Sequence, residues 1–310
     1  MNVLSLCDGM SCGQIALKEL GIVPEHYYAS EIEPNAIKVT QYNFPNTIQL
    51  GDVTKITEDF LKTLPKIDLV MFGSPCRSLS TATAGHKGYN DGLKGVSGLF
   101  YTCNNILEYI KQHNNPNVYF FVENVNSTKK ADIAEMSKLL GVEPQLINSA
   151  VFSAQDRKRL YWTNIPVAAM PETCTAVLND IIDTDVNEKY YYTVPHEYHG
   201  DDKRVCATLG INGHDLIKRV YNTAYKSPTL TSCRGGNTQV KVYINGRCRK
   251  LTPVEYRRLQ TIPDWYKTDN IAHGQVYNIC GDGWTIAVVK HIFKGLCKQY
   301  AVADIPRDES

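Results

Sequence analysis

Short apolar runs alternate with amphipathic stretches along the first 165 residues of the chain. The runs at residues 3–6, 27–30, 69–72, 119–122 and 159–163 are predicted to be strands. Helical spacing of apolar positions fills the intervals, at residues 13–20, 34–43, 99–112 and 130–140. Strands that alternate with helices in this way predict βαβ units and a mostly parallel sheet, so the predicted fold class is α/β.

The pattern changes after Pro166. Up to about Gly246 helical periodicity is poor, and polar residues, tyrosines and turn signals such as Asn212-Gly213 dominate. Farther on, Thr252-Pro253-Val254-Glu255 is a helix start with an N-cap threonine, a proline and a glutamate in their preferred places. We therefore predict one α/β domain made of residues 1–166 plus 248–310, and a second domain of irregular β structure at 167–247.

The amino-acid composition limits the classes of protein to which the chain can belong. The 310 residues are 43% apolar and 21% charged with a formal net charge of +1, as in ordinary globular proteins. Ten cysteines without a CxxC pair argue against a metal site or a disulfide framework and favour reduced thiols. The chain enters a strand at once, without a signal-peptide pattern, and no apolar run is long enough to span a membrane. We expect a cytoplasmic protein without a resident metal.

Two buried strands lead directly into reactive side chains. Cys76 follows Pro75 just after the run at 69–72, and Glu123-Asn124 follows the run at 119–122. In open α/β sheets chemistry collects at the carboxyl ends of the strands, where a thiol on a proline turn is placed to be a nucleophile. The long Ser-, Thr- and Gly-rich stretch at 77–98 is typical of a lid. The plainer alternatives are a core thiol at Cys76 and a helix cap at Glu123.

The first strand ends in a turn that suits a nucleoside. Cys7-Asp8-Gly9-Met10-Ser11-Cys12-Gly13 closes the strand and opens a helix, and Glu31 follows Gly9 by 22 residues, the spacing at which an acid holds ribose hydroxyls. Gly51-Asp52-Val53 could bind an adenine edge. A dinucleotide is disfavoured because the third glycine of that fingerprint is missing. The alternative is that these glycines serve packing alone.

Basic residues cluster at two places. In Gln155-Asp156-Arg157-Lys158-Arg159, alternation points Gln155, Arg157 and Arg159 to one side if the segment is extended. Between residues 226 and 258, eight Lys or Arg stand against one acidic residue, Glu255. Such local positive charge in a nearly neutral chain favours a polyanion-binding face, with a solvated surface as the alternative.

Together these motifs resemble the DNA cytosine-5 methyltransferases over nearly the whole chain, in the family's order. The sequences of the first motif and of Gly98-Leu99-Phe100 resemble those of the animal de novo enzymes and of their stand-alone phage and bacterial relatives. The matching pieces are Cys7-Asp8-Gly9-Met10-Ser11-Cys12-Gly13, Ser30-Glu31, Gly51-Asp52-Val53, Gly73-Ser74-Pro75-Cys76, Glu123-Asn124-Val125, Gln155-x-Arg157-x-Arg159, Arg249-Lys250-Leu251-Thr252-Pro253-x-Glu255-x-x-Arg258-Leu259-Gln260 and Gly281-Asp282-Gly283-Trp284-Thr285.

The resemblance implies a Rossmann-like S-adenosylmethionine-dependent sheet, with residues 167–247 as the target-recognition domain. It implies that Cys76 adds to C6 of a flipped-out cytosine in double-stranded DNA, that Glu123 bonds N3 and the exocyclic amine, that Arg159 bonds O2, and that Arg157 orients the nucleophile loop. Cofactor contacts are expected from Cys7, Asp8, Gly9, Met10, Ser11, Gly13, Glu31, Ile32, Asp52, Val53, Ser74, Pro75, Asp282, Trp284 and Thr285. DNA contacts are expected from Arg77, Ser78, Ser80, Gln155, Thr229, Arg234, Asn237 and Lys241.

The chain departs from the family pattern at Cys7, often an aromatic residue in relatives, and at Asp282, usually an asparagine. One alternative function is a tRNA cytosine-5 methyltransferase. Such enzymes usually carry Pro-Pro-Cys and Cys-Phe-Thr elements, whereas this chain has Ser74-Pro75-Cys76 and no Cys-Phe-Thr. A second alternative is an inert DNA-binding accessory protein. A single flipped base needs only a monomer, and whether a cognate restriction endonuclease accompanies the chain stays open.

Overall fold

The structure, a computed structural model, describes residues 1–74, 98–233 and 237–300. Its first half, in chain order, contains β1 (Asn2–Leu6), α1 (Cys12–Glu19), β2 (His26–Ser30), α2 (Pro34–Asn43), β3 (Ile48–Gln49), α3 (Glu58–Thr63), β4 (Leu69–Phe72), α4 (Leu99–His113), β5 (Tyr119–Val125), α5 (Lys130–Leu140), β6 (Gln145–Asn148) and β7 (Lys158–Thr163). The rest contains β8 (His196–Tyr198), β9 (Val205–Leu209), α6 (Asp215–Lys218), β10 (Arg219–Asn222), β11 (Lys241–Ile244), β12 (Arg247–Lys250), α7 (Pro253–Leu259), α8 (His273–Asp282), α9 (Ile286–Phe293) and α10 (Cys297–Tyr300).

The first sheet has the strand order β3-β2-β1-β4-β5-β7-β6. The pairs β1–β2, β2–β3, β1–β4 and β4–β5 are parallel, and β5–β7 is antiparallel. The predicted α/β class with a mostly parallel sheet is therefore confirmed. Because β1 has β2 on one side and β4 on the other, the strand order reverses beside it. In such sheets a ligand crevice opens at the carboxyl ends of the strands at that reversal.

Near-continuous apolar sequence explains the central strands, since both faces of a parallel sheet are covered. Every residue of β1 and of β4 is buried. The helix α4 packs on the sheet through Phe100, whose ring centroid lies 6.1 Å from that of Phe72. The main core contains Leu4, Leu6, Val70, Phe72, Phe120, Val122, Leu107 and Ile110. This core fixes the strands whose carboxyl ends carry the predicted cofactor motifs.

A second sheet has the order β12-β11-β10-β9-β8 and a small core of Ala207, Leu209, Val220 and Cys248. Its β11–β12 hairpin turns at Asn245-Gly246, where both residues have positive φ, 50° and 79°. That conformation is the one required by a two-residue type I′ turn, for which Asn-Gly is the preferred sequence. The predicted domain boundary between 247 and 248 falls within β12, and the functional division that it marks stays a prediction.

Two compact units divide the chain. One comprises Met1–Ile147, Lys158–Ala168 and the residues from Val289 onward, and the other comprises Asn148–Arg157 and Ala169–Val288. The second unit thus takes in residues 148–157 and 248–288, which were predicted to belong to the catalytic domain. We call these unit 1 and unit 2; a functional division into catalytic and target-recognition domains stays a proposal. Within the described residues, no helix combines the length and the apolar character that crossing a membrane requires.

Candidate active site

A buried carboxylate organises the turn after β1 in unit 1. Asp8 accepts hydrogen bonds at Oδ1 from Ser5 Oγ (2.6 Å) and Tyr27 Oη (2.7 Å), and at Oδ2 from Ser11 Oγ. Burial raises the pKa of Asp8 to about 6, although the three hydroxyl donors act in the opposite direction. The structure therefore assigns the carboxylate of Asp8 to holding the turn. The cofactor contact predicted for Asp8 stays a prediction.

The backbone of this turn is held in the left-handed region at three positions. Cys7, Gly9 and Ser11 have φ of 54°, 59° and 57°. Only glycine adopts that region without cost, so the turn stores strain at Cys7 and Ser11. A Cβ built on Gly9 would meet nothing within 4 Å, so the space above Gly9 is open to an approaching ligand. Met10, by contrast, is 1% exposed, so its side chain is buried, and the cofactor contact predicted for this residue stays a prediction.

Glu31, at the end of β2, ties two chain segments together. Its Oε2 accepts from Gly9 N at 2.7 Å, and its Oε1 accepts from Ile32 N (2.7 Å) and Glu33 N (2.8 Å). The neighbouring side chain of Ile32 is 69% exposed. A carboxylate beside an exposed aliphatic surface offers both an acceptor for hydroxyl groups and an apolar face for a flat ring.

Asp52 follows β3 and begins a 3₁₀ turn at Val53–Lys55. Its carboxylate accepts from Thr54 N (2.9 Å) and Thr54 Oγ1 (2.8 Å), and the bond from the backbone N–H is the main reason that the pKa of Asp52 is lowered. Ser30 Oγ donates to Gly51 O at 2.7 Å, which fixes this turn to the end of β2. Val53 is buried. These contacts bring three of the predicted cofactor motifs to the carboxyl edge of the first sheet.

Glu123 and Arg159, both predicted as catalytic, form an ion pair within unit 1. Arg159 Nε lies 3.0 Å from Glu123 Oε1, and the two side chains are only 15% and 11% exposed. In the antiparallel register Glu123 lies opposite Tyr161, and Arg159 lies opposite Val125. Glu123 and Arg159 are therefore diagonal neighbours on the same face of β5 and β7. Their catalytic roles stay predictions, but the sheet does bring the two side chains together.

Asn124, the next residue on β5, points toward the end of β4. Its Nδ2 lies 3.4 Å from Ser74 Oγ, and both side chains are buried. Ser74 is the last described residue before the predicted nucleophile. Pro75, Cys76, Arg77, Ser78, Ser80 and Arg234 lie outside the described residues, and their predicted roles stay predictions.

In unit 2, Arg157 is a buried guanidinium that holds backbone carbonyls. It donates to Leu230 O (2.9 Å), Gly281 O (3.1 Å) and Gly283 O (3.0 Å) and is 4% exposed. The bonds join two segments that are distant in sequence, Thr229-Leu230 and the motif Gly281-Asp282-Gly283-Trp284-Thr285. This placement makes Arg157 a positioning residue within unit 2.

Gln155 contradicts its prediction as a DNA contact, because it is completely buried. Its Nε2 donates to Leu259 O and Gln260 Oε1, both at 3.1 Å, and its Oε1 accepts from Leu230 N at 2.9 Å. Gln260 extends this network, donating to Cys280 O (2.6 Å) and accepting from Thr285 Oγ1 (2.8 Å). We predicted no role for Gln260, although it ends a motif that the sequence already displayed.

The last motif is likewise mostly interior to unit 2. Trp284 and Thr285 are 8% and 1% exposed, and the Thr285 hydroxyl donates to Gln260, while the cofactor contacts predicted for both residues stay predictions. Asp282 is exposed at the end of α8. A Cβ on Gly281 would overlap the backbone of Thr231 and Ser232, so this glycine permits a close approach of α8 to the segment after Leu230.

Much of the positive charge at 226–258 is used inside the protein. Lys226 Nζ donates to Ser153 O and Ala176 O, and Arg249 forms a fully buried ion pair with Glu255 at 2.7 Å. Lys241 is 1% exposed, which contradicts its prediction as a DNA contact. Two further ion pairs join Arg247 to Glu188 and Arg258 to Asp183. The basic run therefore is not, as a whole, a polyanion-binding face.

Comparison with known proteins decides the family. The family described as C-5 cytosine-specific DNA methylase matches residues 1–298. The chain belongs to this family. Orphan methyltransferase M.SPBetaI of Bacillus phage SPbeta is 23% identical in an alignment 443 positions long that covers 97% of this chain and 98% of the relative. Orphan methyltransferase M.Rho11sI of Bacillus phage rho11s is 32% identical over 175 residues, 52% of this chain and 32% of the relative.

Solved structures share the fold. A Spodoptera frugiperda DNMT2 variant superposes with a TM-score of 0.65 at 21% identity, covering 95% of this chain and 99% of that one. The Entamoeba histolytica methyltransferase EhMeth gives a TM-score of 0.68 at 15% identity, covering 96% and 98%. The predicted methyltransferase fold is thereby confirmed.

The family depends on S-adenosylmethionine in general, and unit 1 fits such a group. The open space above Gly9 admits a ligand against the backbone, Glu31 presents a carboxylate for ribose hydroxyls, and exposed Ile32 offers a face for adenine. Asp52 adds an acceptor at the end of β3.

Proposed function

We propose that this chain transfers the methyl group of S-adenosylmethionine to C5 of a flipped-out cytosine in double-stranded DNA, through a covalent bond between Cys76 and C6. The observation that carries the proposal is the Glu123–Arg159 pair, held at 3.0 Å on adjacent strands beside the Ser74–Asn124 contact that precedes Cys76. A carboxylate and a guanidinium on one face match the N3, amine and O2 edge of cytosine.

The chemistry needs this arrangement because C5 of cytosine is a poor nucleophile. Addition of the Cys76 thiolate to C6 makes the ring an enamine, whose C5 can attack an electrophilic methyl group. The cofactor supplies that methyl group on a sulfonium. Charge develops on the ring as the thiolate adds, and a proton shared between Glu123 and N3, together with a hydrogen bond from Arg159 to O2, would stabilise it. Loss of the C5 proton then expels Cys76 and restores the aromatic ring.

A stacked base cannot be reached by a thiol on a protein loop. The cytosine must therefore leave the duplex, at a cost of about a few kcal/mol for unstacking and unpairing. Contacts from unit 2 would offset this cost in the proposal, with Thr229 and Asn237 as the described candidates. Thr229 Oγ1 is already bonded to Asp156 O at 2.7 Å, so Asn237, which is exposed, is the better candidate for a base contact.

DNA is favoured over tRNA as substrate by two features. Ser74 stands where a tRNA enzyme would carry the first proline of Pro-Pro-Cys, and the chain lacks Cys-Phe-Thr.

Relatives from Bacillus phages are named orphan methyltransferases, which supports action without a cognate restriction endonuclease. A monomer suffices for this reaction.

The test is transfer of labelled methyl to mixed-sequence duplex DNA and to tRNA, with Cys76→Ser beside the wild type. The proposal predicts label in DNA as 5-methylcytosine and none with the variant. Label in tRNA alone would replace DNA as substrate. DNA binding without transfer to either nucleic acid would favour an inert accessory protein.

A further inference from the structure

Lys241 is a lysine whose ammonium lies inside unit 2. The residue is 1% exposed, and Nζ donates to Asn237 O at 2.5 Å and to Gln239 O at 2.9 Å. The ammonium also lies 5.9 Å from the centroid of the Tyr192 ring. The bonded groups are neutral carbonyls and the neighbouring ring is neutral. Burying an ammonium with such partners is costly, so its place here calls for a role that an apolar side chain could not fill.

Tyr256 on α7 holds the same backbone from a second direction. This side chain is completely buried, and its hydroxyl accepts from Val240 N at 2.8 Å and lies 3.7 Å from Cys233 Sγ. Its ring stacks edge-on against Tyr277, with centroids 4.7 Å apart. Lys241 and Tyr256, which we call the loop support, therefore fix the main chain at Asn237, Gln239 and Val240.

The loop support holds an exposed residue. Asn237 has φ of +59°, a left-handed conformation that asparagine adopts more readily than most other non-glycine residues. Tyr192 Oη lies 3.4 Å from Asn237 Oδ1, so the side chain is steered as well as the backbone. A side chain that contacts a base has to be held in place by its neighbours, and Asn237 is held through Tyr192 and Lys241. An asparagine amide is also one of the groups that reads a base edge, adenine above all.

We propose that Asn237 is a specificity-determining residue and that Lys241 and Tyr256 are positioning residues which set its geometry toward DNA. The inference rests on the proposed function. In this arrangement Lys241 contributes to the choice of sequence without touching phosphate, because its ammonium is turned inward to two carbonyls.

Within unit 2, the titratable groups around Lys241 are Cys233, Tyr192 and Tyr256. Burial lowers the pKa of Lys241 to about 8, and Cys233 opposes that shift. The thiol of Cys233 is itself buried, which raises its pKa, while Tyr192 and Tyr256 have raised pKa values for the same reason. Near neutral pH the ammonium thus keeps its charge and both bonds, and the experiment is best performed at pH 7.

The test compares Lys241→Met, Asn237→Ala and the double variant with the wild type, after base-resolution mapping of methylated DNA has given the wild-type target. Lys203→Met, at an exposed position of the same unit, is the control for loss of one positive charge. The readout is the ratio of kcat/KM on the mapped target to kcat/KM on duplexes with one base pair changed. Each single variant should lower this ratio about tenfold, as the loss of one base contact does. The double variant should lower it no further, because both changes remove the same contact.

Salt dependence separates positioning from phosphate binding. If Lys241 bound a phosphate, it would contribute about 0.9 to the steepness of the plot of log affinity against log salt. Lys241→Met would then make that slope shallower by the same amount. The inference predicts a slope equal to that of the wild type, with Lys203→Met unchanged in discrimination. A flatter slope with equal losses on all sequences would overturn it, as would additive losses in the double variant or undiminished discrimination.

If Lys241→Met does not fold, as judged by circular dichroism and melting, Tyr256→Phe replaces it, since it keeps the ring and removes only the hydroxyl that accepts from Val240 N. The same loss of discrimination is expected. A wild type that methylates no DNA overturns the proposed function and this inference together. A wild type that methylates DNA beside folded variants with full discrimination overturns only this inference.

Discussion

Two glycines of the helix α8 give a matched pair of substitutions. Gly281 lies where a Cβ would overlap the backbone of Thr231 and Ser232, whereas a Cβ on Gly274 would meet nothing within 4 Å. Both residues are in the same helix and neither has a positive φ. Gly281→Ala and Gly274→Ala therefore add the same methyl group and differ only in what that group meets.

The magnitude follows from the neighbouring hydrogen bonds. A Cβ on Gly281 falls about 1 Å short of the 3.4 Å at which ordinary van der Waals contact begins, and the obstacle is backbone. A retreat of α8 by that distance would break the bonds from Arg157 to Gly281 O and Gly283 O, now 3.1 and 3.0 Å. Overpacking costs about 1–3 kcal/mol and each lost bond to a charged donor about 1.5–3 kcal/mol, so Gly281→Ala should destabilise by about 4 kcal/mol or more. Gly274→Ala should stabilise by less than about 1 kcal/mol, because alanine favours a helix over glycine.

Urea unfolding followed by tryptophan fluorescence measures both free energies, and labelled methyl transfer measures the consequence for activity. The midpoint should fall clearly for Gly281→Ala and stay level or rise for Gly274→Ala, and only the first variant should lose transfer activity. Equal midpoints for the two variants would refute the close approach of α8 to the segment after Leu230. They would also remove our physical reason for the glycine in the last motif.

Three further predictions follow from the buried polar groups. Asp8 has a pKa of about 6, above that of an unfolded carboxyl, so the stability it contributes is complete below about pH 4 and is lost as pH rises through 6. Relative to Asp8→Asn, the wild type should lose up to about 3 kcal/mol of unfolding free energy between pH 4 and 7, and a constant difference in urea titrations would contradict the burial of this carboxylate. Gln155→Leu should cost about 2–4 kcal/mol through the unpaired Leu230 N–H and leave the DNA affinity of the folded protein unchanged, whereas a folded variant with weakened DNA affinity would return Gln155 to the DNA interface. Glu123→Ala should lower kcat by at least about 10²-fold with much smaller loss of DNA affinity, and near-normal turnover would exclude Glu123 from charge stabilisation.

The sequence predicted the first sheet well because its strands are short apolar runs bounded by glycine turns. Each of the four central strands begins and ends within three residues of its predicted ends, and Thr252 caps α7 with Glu255 returning to its backbone, as the capping-box pattern predicts. The Asn245-Gly246 turn was a readable signal for the β11–β12 hairpin that we did not use. It would have kept β12 with the second sheet.

The site was less predictable, since burial of a polar side chain depends on partners far away in sequence. Alternation placed Gln155, Arg157 and Arg159 on one side, but β7 begins only at Lys158, and Gln155 turns inward to Leu230, 75 residues away. Lys241 was predicted to contact DNA for the same reason, because no neighbouring residue in the sequence indicates that its ammonium donates to two backbone carbonyls. The Glu123–Arg159 pair depends on the antiparallel register of β5 and β7, which single-strand patterns do not contain.

Covalent catalysis by Cys76 on a DNA cytosine is the central claim, and trapping the bond tests it most directly. Duplex DNA with 5-fluorocytosine at the mapped target has no C5 proton to lose, so after methyl transfer the sulfur cannot be expelled. Incubation with S-adenosylmethionine, followed by denaturation and peptide mass analysis, should show the nucleotide attached to the peptide that contains Cys76, and Cys76→Ser should show none. Methylation of ordinary DNA by the wild type without any such adduct, or an adduct at another residue, would contradict the account.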